Sequence, residues 1–261
     1  MASLKPRRLE LAAYSLAGAL TFLAAWWLVA ASGHVNSLIL PSPPAVVTTF
    51  VSLTHRTFAG YTIQQHLASS LVRFALGFVL AAVIGIPLGL AMGWLRWLDY
   101  VVSPLFEAVR FVAPIAWVPF AVLWFGTGIG GPVLIIFSGA FPPCLINAYR
   151  GARHVDRNLI EAAQTLGAGD RTIIFEVLLP AALPSIVAGL RISAGLGWQS
   201  LIGAELIVVS AGIGYLMVQG QSNLDTAIVM SGMIAIGLVG VAIDLALRQL
   251  EKLALGTRGM P

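Results

Sequence analysis

EAAQTLGAGDRTIIFEVLLP, residues Glu161 to Pro180, is a polar island in a chain of 261 residues of which 58% are apolar. Only 10% of the residues are charged, against roughly 25% in a soluble domain. That composition excludes a disordered chain and argues against a cytosolic globule. Asp156 can cap a first helix, RNLIEAAQTLG. Gly167 stands where that helix should stop, in the left-handed position glycine tolerates best. Asp170 can cap a second helix, RTIIFEVLL, and Pro180 marks the approach to the next apolar run. The first helix is short, and Ala162, Ala163 and Leu166 fall on one side of it. Small side chains there let another protein's surface approach the backbone closely, as a docking peg requires.

Working outward, six apolar runs flank this island, at residues 11–31, 67–94, 103–125, 132–149, 181–207 and 226–247. At ~1.5 Å rise per residue each can cross a hydrocarbon core of ~30 Å, the fourth only barely. The first admits a second reading as a signal peptide, since Ala30-Ala31-Ser32 resembles a cleavage site. Its length, and Trp26 and Trp27 near its end, favour a span. The basic residues alternate between the connecting segments. Lys5, Arg7 and Arg8 precede the first run, and Arg96 follows the second. Arg150, Arg153, Arg157 and Arg171 lie between the fourth and fifth, and Arg248, Lys252 and Arg258 follow the sixth. Arg56 is the clear cation of the other loops. The bias places both termini and residues 150–180 on the cytoplasmic side. It also accounts for the net charge of +4 as a topology signal, so no nucleic-acid partner is expected.

The first outer loop carries Pro41, Pro43 and Pro44, which halt helix one. Val46, Val47, Phe50 and Leu53 then give an apolar face. We expect a short helix in the outer interface there, with a plain connector as the alternative. GTGIGGP, residues 126–132, is a glycine turn joining spans three and four as antiparallel neighbours. Pro114, Pro119, Pro142, Pro143 and Pro184 interrupt spans three, four and five. Such breaks need partners for the freed backbone groups. The single cysteine, Cys144, excludes an internal disulfide, and no Cys/His cluster has metal-ligand spacing. His66 and His154 are expected at the interfaces. No nucleophile, base or metal set is spaced for catalysis, so no catalytic residue is expected.

The island resembles the coupling loop of ATP-binding-cassette importer permeases. Their pattern is Glu-Ala-Ala, three residues, Gly, nine residues, Ile, one residue, Leu-Pro. Here it reads Glu161, Ala162, Ala163, Gly167, Val177, Leu179 and Pro180. Val177 in place of Ile is the one departure and keeps the β-branched character. LPSPPAVVTTF, HLASSLVRFALGFVLAAVIGIPLGLAMGW, APIAWVPFAVLWFGTG and GLRISAGLGWQSLIGAELI are similar to the nitrate/sulfonate/taurine branch, nearest to taurine and alkylsulfonate permeases. The resemblance implies an all-α polytopic membrane protein with the type I importer permease fold. It implies one transmembrane permease domain of six helices, with a cytoplasmic coupling helix whose residues are Glu161, Ala162, Ala163, Leu166, Gly167, Leu179 and Pro180. It also implies two cassette ATPase subunits, a second permease copy and a periplasmic or lipid-anchored substrate-binding protein as partners, in a bacterial inner membrane. The chain has no G-x-x-x-x-G-K-[ST] motif. ATP and magnesium are therefore expected on the partner ATPase, and no cofactor on this chain. The cycle implied is alternating access driven by ATP.

Arg110, Glu107, Arg191 and Glu205 lie in or near the ends of predicted spans, where a charge such as Arg, Lys or Asp costs ~2.5–3.5 kcal/mol at a helix centre on insertion scales. Arg110, Trp117, Arg191, Trp198 and Glu205 are the candidate lining of a translocation path, with Phe111 and Trp124 as further aromatics. An arginine there can make a charge-assisted contact with a sulfonate or nitrate. The structural alternatives are an Arg110–Glu107 pair on one helix face, Arg191 tying span five to a neighbouring carbonyl, and aromatics that face lipid. The glycines of Gly195-Leu196-Gly197-Trp198 permit close helix approach. An ion-coupled secondary transporter is the competing function, although no internal repeat is present.

Overall fold

The computed structural model describes residues 8–33, 35–36, 38–126, 128–207 and 209–256, with the side chains of residues 8–12, 254 and 255 set aside. Lys5, Arg7, Thr127 and Arg258, used above for orientation and for the glycine turn, lie outside the described residues. Every regular element among the described residues is helical. Helix α1 spans Arg8–Ala31, α2 Pro43–His55, α3 Ile63–Trp94 and α4 Arg96–Val109. A 3₁₀ turn, Pro114–Trp117, runs into α5, Val118–Phe125. Helix α6 is Gly130–Arg153 and α7 is Arg157–Thr165. Helix α8 runs unbroken over Asp170–Glu205, followed by α9, Ile213–Ser222, and α10, Thr226–Gly256.

Five of these helices, α1, α3, α6, α8 and α10, are individually long and apolar enough to cross a membrane. The third apolar run, expected over 103–125 with Pro114 and Pro119 interrupting it, begins earlier and is broken outright. It is a pair, Arg96–Val109 and Pro114–Phe125, bent by 88°. The cause is local. Proline 114 offers no N–H and disfavours the helical region for the residue before it, and Ala113 sits at φ −57°, ψ 139°. Pro142 and Pro143 lie inside α6 and Pro184 inside α8 without ending either helix.

The chain forms two compact units. The first comprises residues 1–63 and 216–234. Here Trp26 Nε1 donates to the Pro41 carbonyl at 3.1 Å, Thr226 Oγ1 donates to the Leu38 carbonyl, and Ser231 Oγ donates to the Val46 carbonyl at 3.3 Å. Val46 and Leu53 of α2 are buried with Phe50 half-buried beside them, whereas Val47 is exposed. The apolar face of α2 is therefore 46–50–53 and turned into protein, and Val47 does not belong to it.

The second unit comprises residues 64–215 and 235–261. Its centre is the packing of α3 and α8 on α6. Gly77, Ala81, Gly85, Gly89 and Gly93 recur at every fourth position of α3. A Cβ added at Gly85 would lie 3.0 Å from Cys144 Cβ, and one at Gly89 would lie 2.9 Å from Ala148 Cβ and meet the Leu145 carbonyl. Lipid is as apolar as leucine, so close van der Waals approach of backbones, rather than hydrophobic burial, holds such helices together. Phe74, Ile136, Ala194, Trp198 and Leu201 form one buried cluster, and Val118, Ala121, Ile135 and Ala204 another. Phe74 meets Trp198 edge-on at 5.4 Å between ring centroids.

Candidate functional site

The polar island folds as a stiff, capped peg. The Asp156 carboxylate accepts the Asn158 N–H at 2.9 Å, which starts α7. Gly167, at φ +81°, ends it. The Gly167 N–H reaches the Gln164 carbonyl at 2.9 Å and the Ala168 N–H reaches the Ala163 carbonyl at 3.0 Å. That double bond pattern is the Schellman stop. Arg157 pairs with Glu161 at 3.2 Å across one turn, both exposed. Leu166 is 89% exposed and Leu159 53%, and with exposed Ala162 they stand at i, i+3 and i+7. Ala163 is half-buried, so the outward face is Leu159, Ala162 and Leu166. Two leucines left bare on a polar helix form an apolar surface for a partner to cover.

The second half of the island differs from a separate capped helix. Gly169, not Asp170, is the N-cap of α8, and no side chain bonds there. Residues Ile173–Leu178 then widen into a π-helical turn before the regular helix resumes at Leu179. Pro180 supplies no N–H and its ring would clash with the carbonyl four residues back. A π-turn inserted ahead of it takes up that misfit without breaking the helix. The chain from Asp170 to Glu205 is therefore one lever, with Leu179 and Pro180 inside it rather than at its start.

The ionisable residues inside the predicted spans are each accounted for. Arg110 Nε donates to Glu107 Oε2 at 2.7 Å, and its guanidinium carbon sits 4.5 Å over the Phe111 ring. Arg191 Nε donates to Asp244 Oδ1 at 2.6 Å, with Glu251 at 3.9 Å and Arg248 also on Asp244 at 2.8 Å. The partner of Arg191 is thus a carboxylate of α10, not the carbonyl considered from the sequence. Glu205 is 1% exposed. It accepts from Ser70 Oγ at 2.8 Å, Arg73 Nη1 at 3.0 Å and the Gly214 N–H at 3.0 Å. Arg73 Nη1 also donates to the Ala211 carbonyl at 2.6 Å. His66 is fully buried within the protein and its Nδ1 accepts the Gly212 N–H at 3.1 Å. His154 is exposed, with Nδ1 2.7 Å from the Arg150 carbonyl.

The five candidate path residues do not converge. Arg110 and Trp117 share an apolar cavity of about 240 Å³. Arg191 and Trp198 border a gap of about 70 Å³ between α8 and α10. Trp198 is buried, with Nε1 donating to the Ile236 carbonyl at 3.2 Å. Gly197, with a virtual Cβ 3.2 Å from Ala140, carries the close approach in that motif, whereas Gly195 faces open space. Phe111 and Trp124 are exposed. A cavity of about 600 Å³ adjoins the first cavity, sharing Arg110, Ser138 and Pro142 with it, and is walled by one face of α6, one face of α8 and the Arg110–Ile115 break. Its polar lining is Arg110, Ser138, Asn147, Arg150, Gln199 and Ser200. Arg73, Asp244, Asn147 and Gln199 escaped the sequence reading. For the first two, a scan for every ionisable residue inside an apolar run carries the signal.

Comparison with known proteins agrees with this layout. Residues 85–254 match the family described as "Binding-protein-dependent transport system inner membrane component". The chain is 36% identical over 231 residues to the taurine transport system permease protein TauC of Escherichia coli (strain K12), covering 88% of this chain and 84% of that one. It is 35% identical over 230 residues to the putative aliphatic sulfonates transport permease protein SsuC of Bacillus subtilis (strain 168), covering 88% and 82%. Among solved structures it resembles the inward-facing MetNI methionine ABC transporter. That match has a TM-score of 0.60 and 21% identity, over 74% of this chain and 94% of the other.

Proposed function

Because the chain belongs to the family of binding-protein-dependent transport system inner membrane components, and is therefore a multi-pass membrane permease subunit of an ATP-binding-cassette importer, we propose that it moves a small sulfonate, taurine or an alkanesulfonate, with nitrate or a related anion as the next choice. The observation that carries the coupling role is the bare Leu159–Ala162–Leu166 face on a helix capped at both ends. Leu159, Ala162 and Leu166 form the surface that seats in a cassette ATPase, with Glu161 exposed beside it and half-buried Ala163 packed behind it, and Gly167 sets the angle at which it projects. Leu179 and Pro180 carry the stroke onward in α8. ATP and magnesium bind the partner and not this chain. Two such permeases, as a homodimer, serve a pair of cassettes, and a periplasmic or lipid-anchored binding protein delivers the substrate. Both termini and α7 face the cytoplasm. Of the candidate path residues, Arg110 is the one at the large cavity. Arg191, Trp198 and Glu205 hold helices together around the path.

Reconstitution of this chain with its cassette ATPase and binding protein in proteoliposomes tests the reading. Labelled taurine or ethanesulfonate should accumulate only with ATP and the binding protein present. Accumulation driven by a proton gradient alone would instead establish an ion-coupled secondary transporter.

A further inference from the structure

We propose that the large cavity between α6, α8 and the Arg110–Ile115 break is a binding station for a sulfonate head group, with Arg150 and Gln199 as its principal contacts and Asn147 and Arg110 as secondary ones. The proposal rests on the importer reading above and gives it a specific anion site.

The charge of the lining comes first. Two guanidiniums, Arg110 and Arg150, reach the cavity, and no carboxylate lines it among the described residues. The Arg110 charge is already opposed by Glu107. Arg150 has no ion-pair partner among the described residues, so the uncompensated charge of the cavity is one guanidinium. As a cation in the last turn of α6, Arg150 also complements the helix dipole. That role needs only its position on the helix, not its presence in a cavity wall.

Hydrogen-bonding capacity comes second. The Gln199 amide makes no hydrogen bond among the described residues and is exposed toward the cavity. Asn147 donates one N–H to the Pro143 carbonyl at 2.9 Å, leaving its second N–H free. Ser138 and Ser200 spend their hydroxyl protons on the Ile135 and Leu196 carbonyls at 2.8 and 2.7 Å, so they add no donor. The open donors are therefore a guanidinium fork and two amides, which suit the three oxygens of a sulfonate through charge-assisted bonds. A substrate ammonium finds no carboxylate there. Of the sulfonates proposed above, the site therefore fits an alkanesulfonate better than zwitterionic taurine.

Geometry comes third. Ser138, Pro142, Asn147 and Arg150 follow one face of α6, and Leu196, Gln199 and Gly203 one face of α8. The third wall is irregular backbone. In a membrane protein, irregular backbone is tolerated where it lines a water-filled cavity, and broken helices mark substrate sites in other transporters. The volume of about 600 Å³ lies in the range of about 300–1,000 Å³ typical of small-molecule sites.

Thiol labelling tests the station directly. Gln199→Cys, and Ser200→Cys as a second position on the same wall, are introduced into the permease assembled with its ATPase. The wild-type chain, whose Cys144 is buried, gives the background. Modification by a negatively charged sulfonatoethyl methanethiosulfonate is compared with modification by its trimethylammonioethyl counterpart. Relative to a free thiol, the anionic-to-cationic rate ratio should rise by about tenfold, the lower end of focusing by a charged cleft. Ethanesulfonate should slow the anionic reagent, and adding Arg150→Gln should return the ratio toward that of the free thiol. A ratio equal to the free thiol's at both positions, no protection by ethanesulfonate at Ser200→Cys, which keeps Gln199, or no response to Arg150→Gln overturns the proposal. ATP-driven uptake by the wild-type complex is read in the same preparation. Uptake with a neutral ratio defeats the anion station alone, whereas no ATP-driven uptake defeats the importer reading.

Discussion

Glu205 holds three donors in a nearly dry site, and its removal leaves the Gly214 N–H without its acceptor and the Arg73 guanidinium without its counter-ion, with only the Ala211 carbonyl to receive it. Breaking one side of a buried pair costs ~3–5 kcal/mol. Glu205→Ala should therefore lower the thermal midpoint of the purified chain sharply, and Glu205→Gln, which keeps an acceptor, should lower it less. Equal midpoints for Glu205→Ala and wild type would contradict this account of the cluster. Arg191 sits in a network with Asp244, Arg248 and Glu251, about a third exposed. Arg191→Gln should leave substrate selectivity unchanged in uptake competition. Arg191→Asp combined with Asp244→Arg should recover assembly lost in either single reversal. A change of selectivity in Arg191→Gln would place that guanidinium on the path instead. At this scale the sequence is partly legible. Glu205 and Arg191 stand out as charges in apolar runs, but their partners lie 132 and 53 residues away. Local pattern carries no information on which turn of one helix faces which turn of another.

Helix α7 shows why capping signals are the most readable feature of the chain. Asp156, Gly167 and the residues between them act through contacts within a few positions, so their spacing alone specifies a start, a length and a stop. Gly167→Ile places a β-branched residue at φ +81°, at a cost of about 1–2 kcal/mol, and tilts the end of the peg. Gly167→Asn, which tolerates that region, is the control. We predict normal ATPase activity with uptake at least tenfold lower for Gly167→Ile and near wild-type uptake for Gly167→Asn, measured side by side in proteoliposomes. Equal uptake in both would remove any role for that angle. The π-turn at Ile173–Leu178 and the 88° bend were not legible in the same way. Proline announces that something must give, as at Pro114 and Pro180. The identical residue lies quietly inside α6 at Pro142 and Pro143. Whether a helix breaks, widens or carries on is decided by what its neighbours can supply to the freed backbone groups.

For the whole molecule, the glycine ladder of α3 is the feature on which the second unit depends. Gly89→Leu would drive a side chain into the Leu145 carbonyl and Ala148, whereas Gly237 has open space around it. The first substitution should abolish a monodisperse peak in size-exclusion chromatography of the detergent-purified chain, and Gly237→Leu should not. The six apolar runs and their number are visible from hydropathy, because each run needs only its own length and composition. The helix Ile213–Ser222 was not foreseen, being too short for that test. The central claim remains that α7 is where a nucleotide-hydrolysing subunit takes hold. Cross-linking from Leu166 tests it most directly. A maleimide-benzophenone is attached at Leu166→Cys in the assembled complex, with Leu123→Cys, 84% exposed on α5, as the comparison. The account predicts an adduct with the ATPase from position 166 and none from position 123. An adduct at 166 only with the binding protein, or an ATPase yield no greater than at 123, would contradict it.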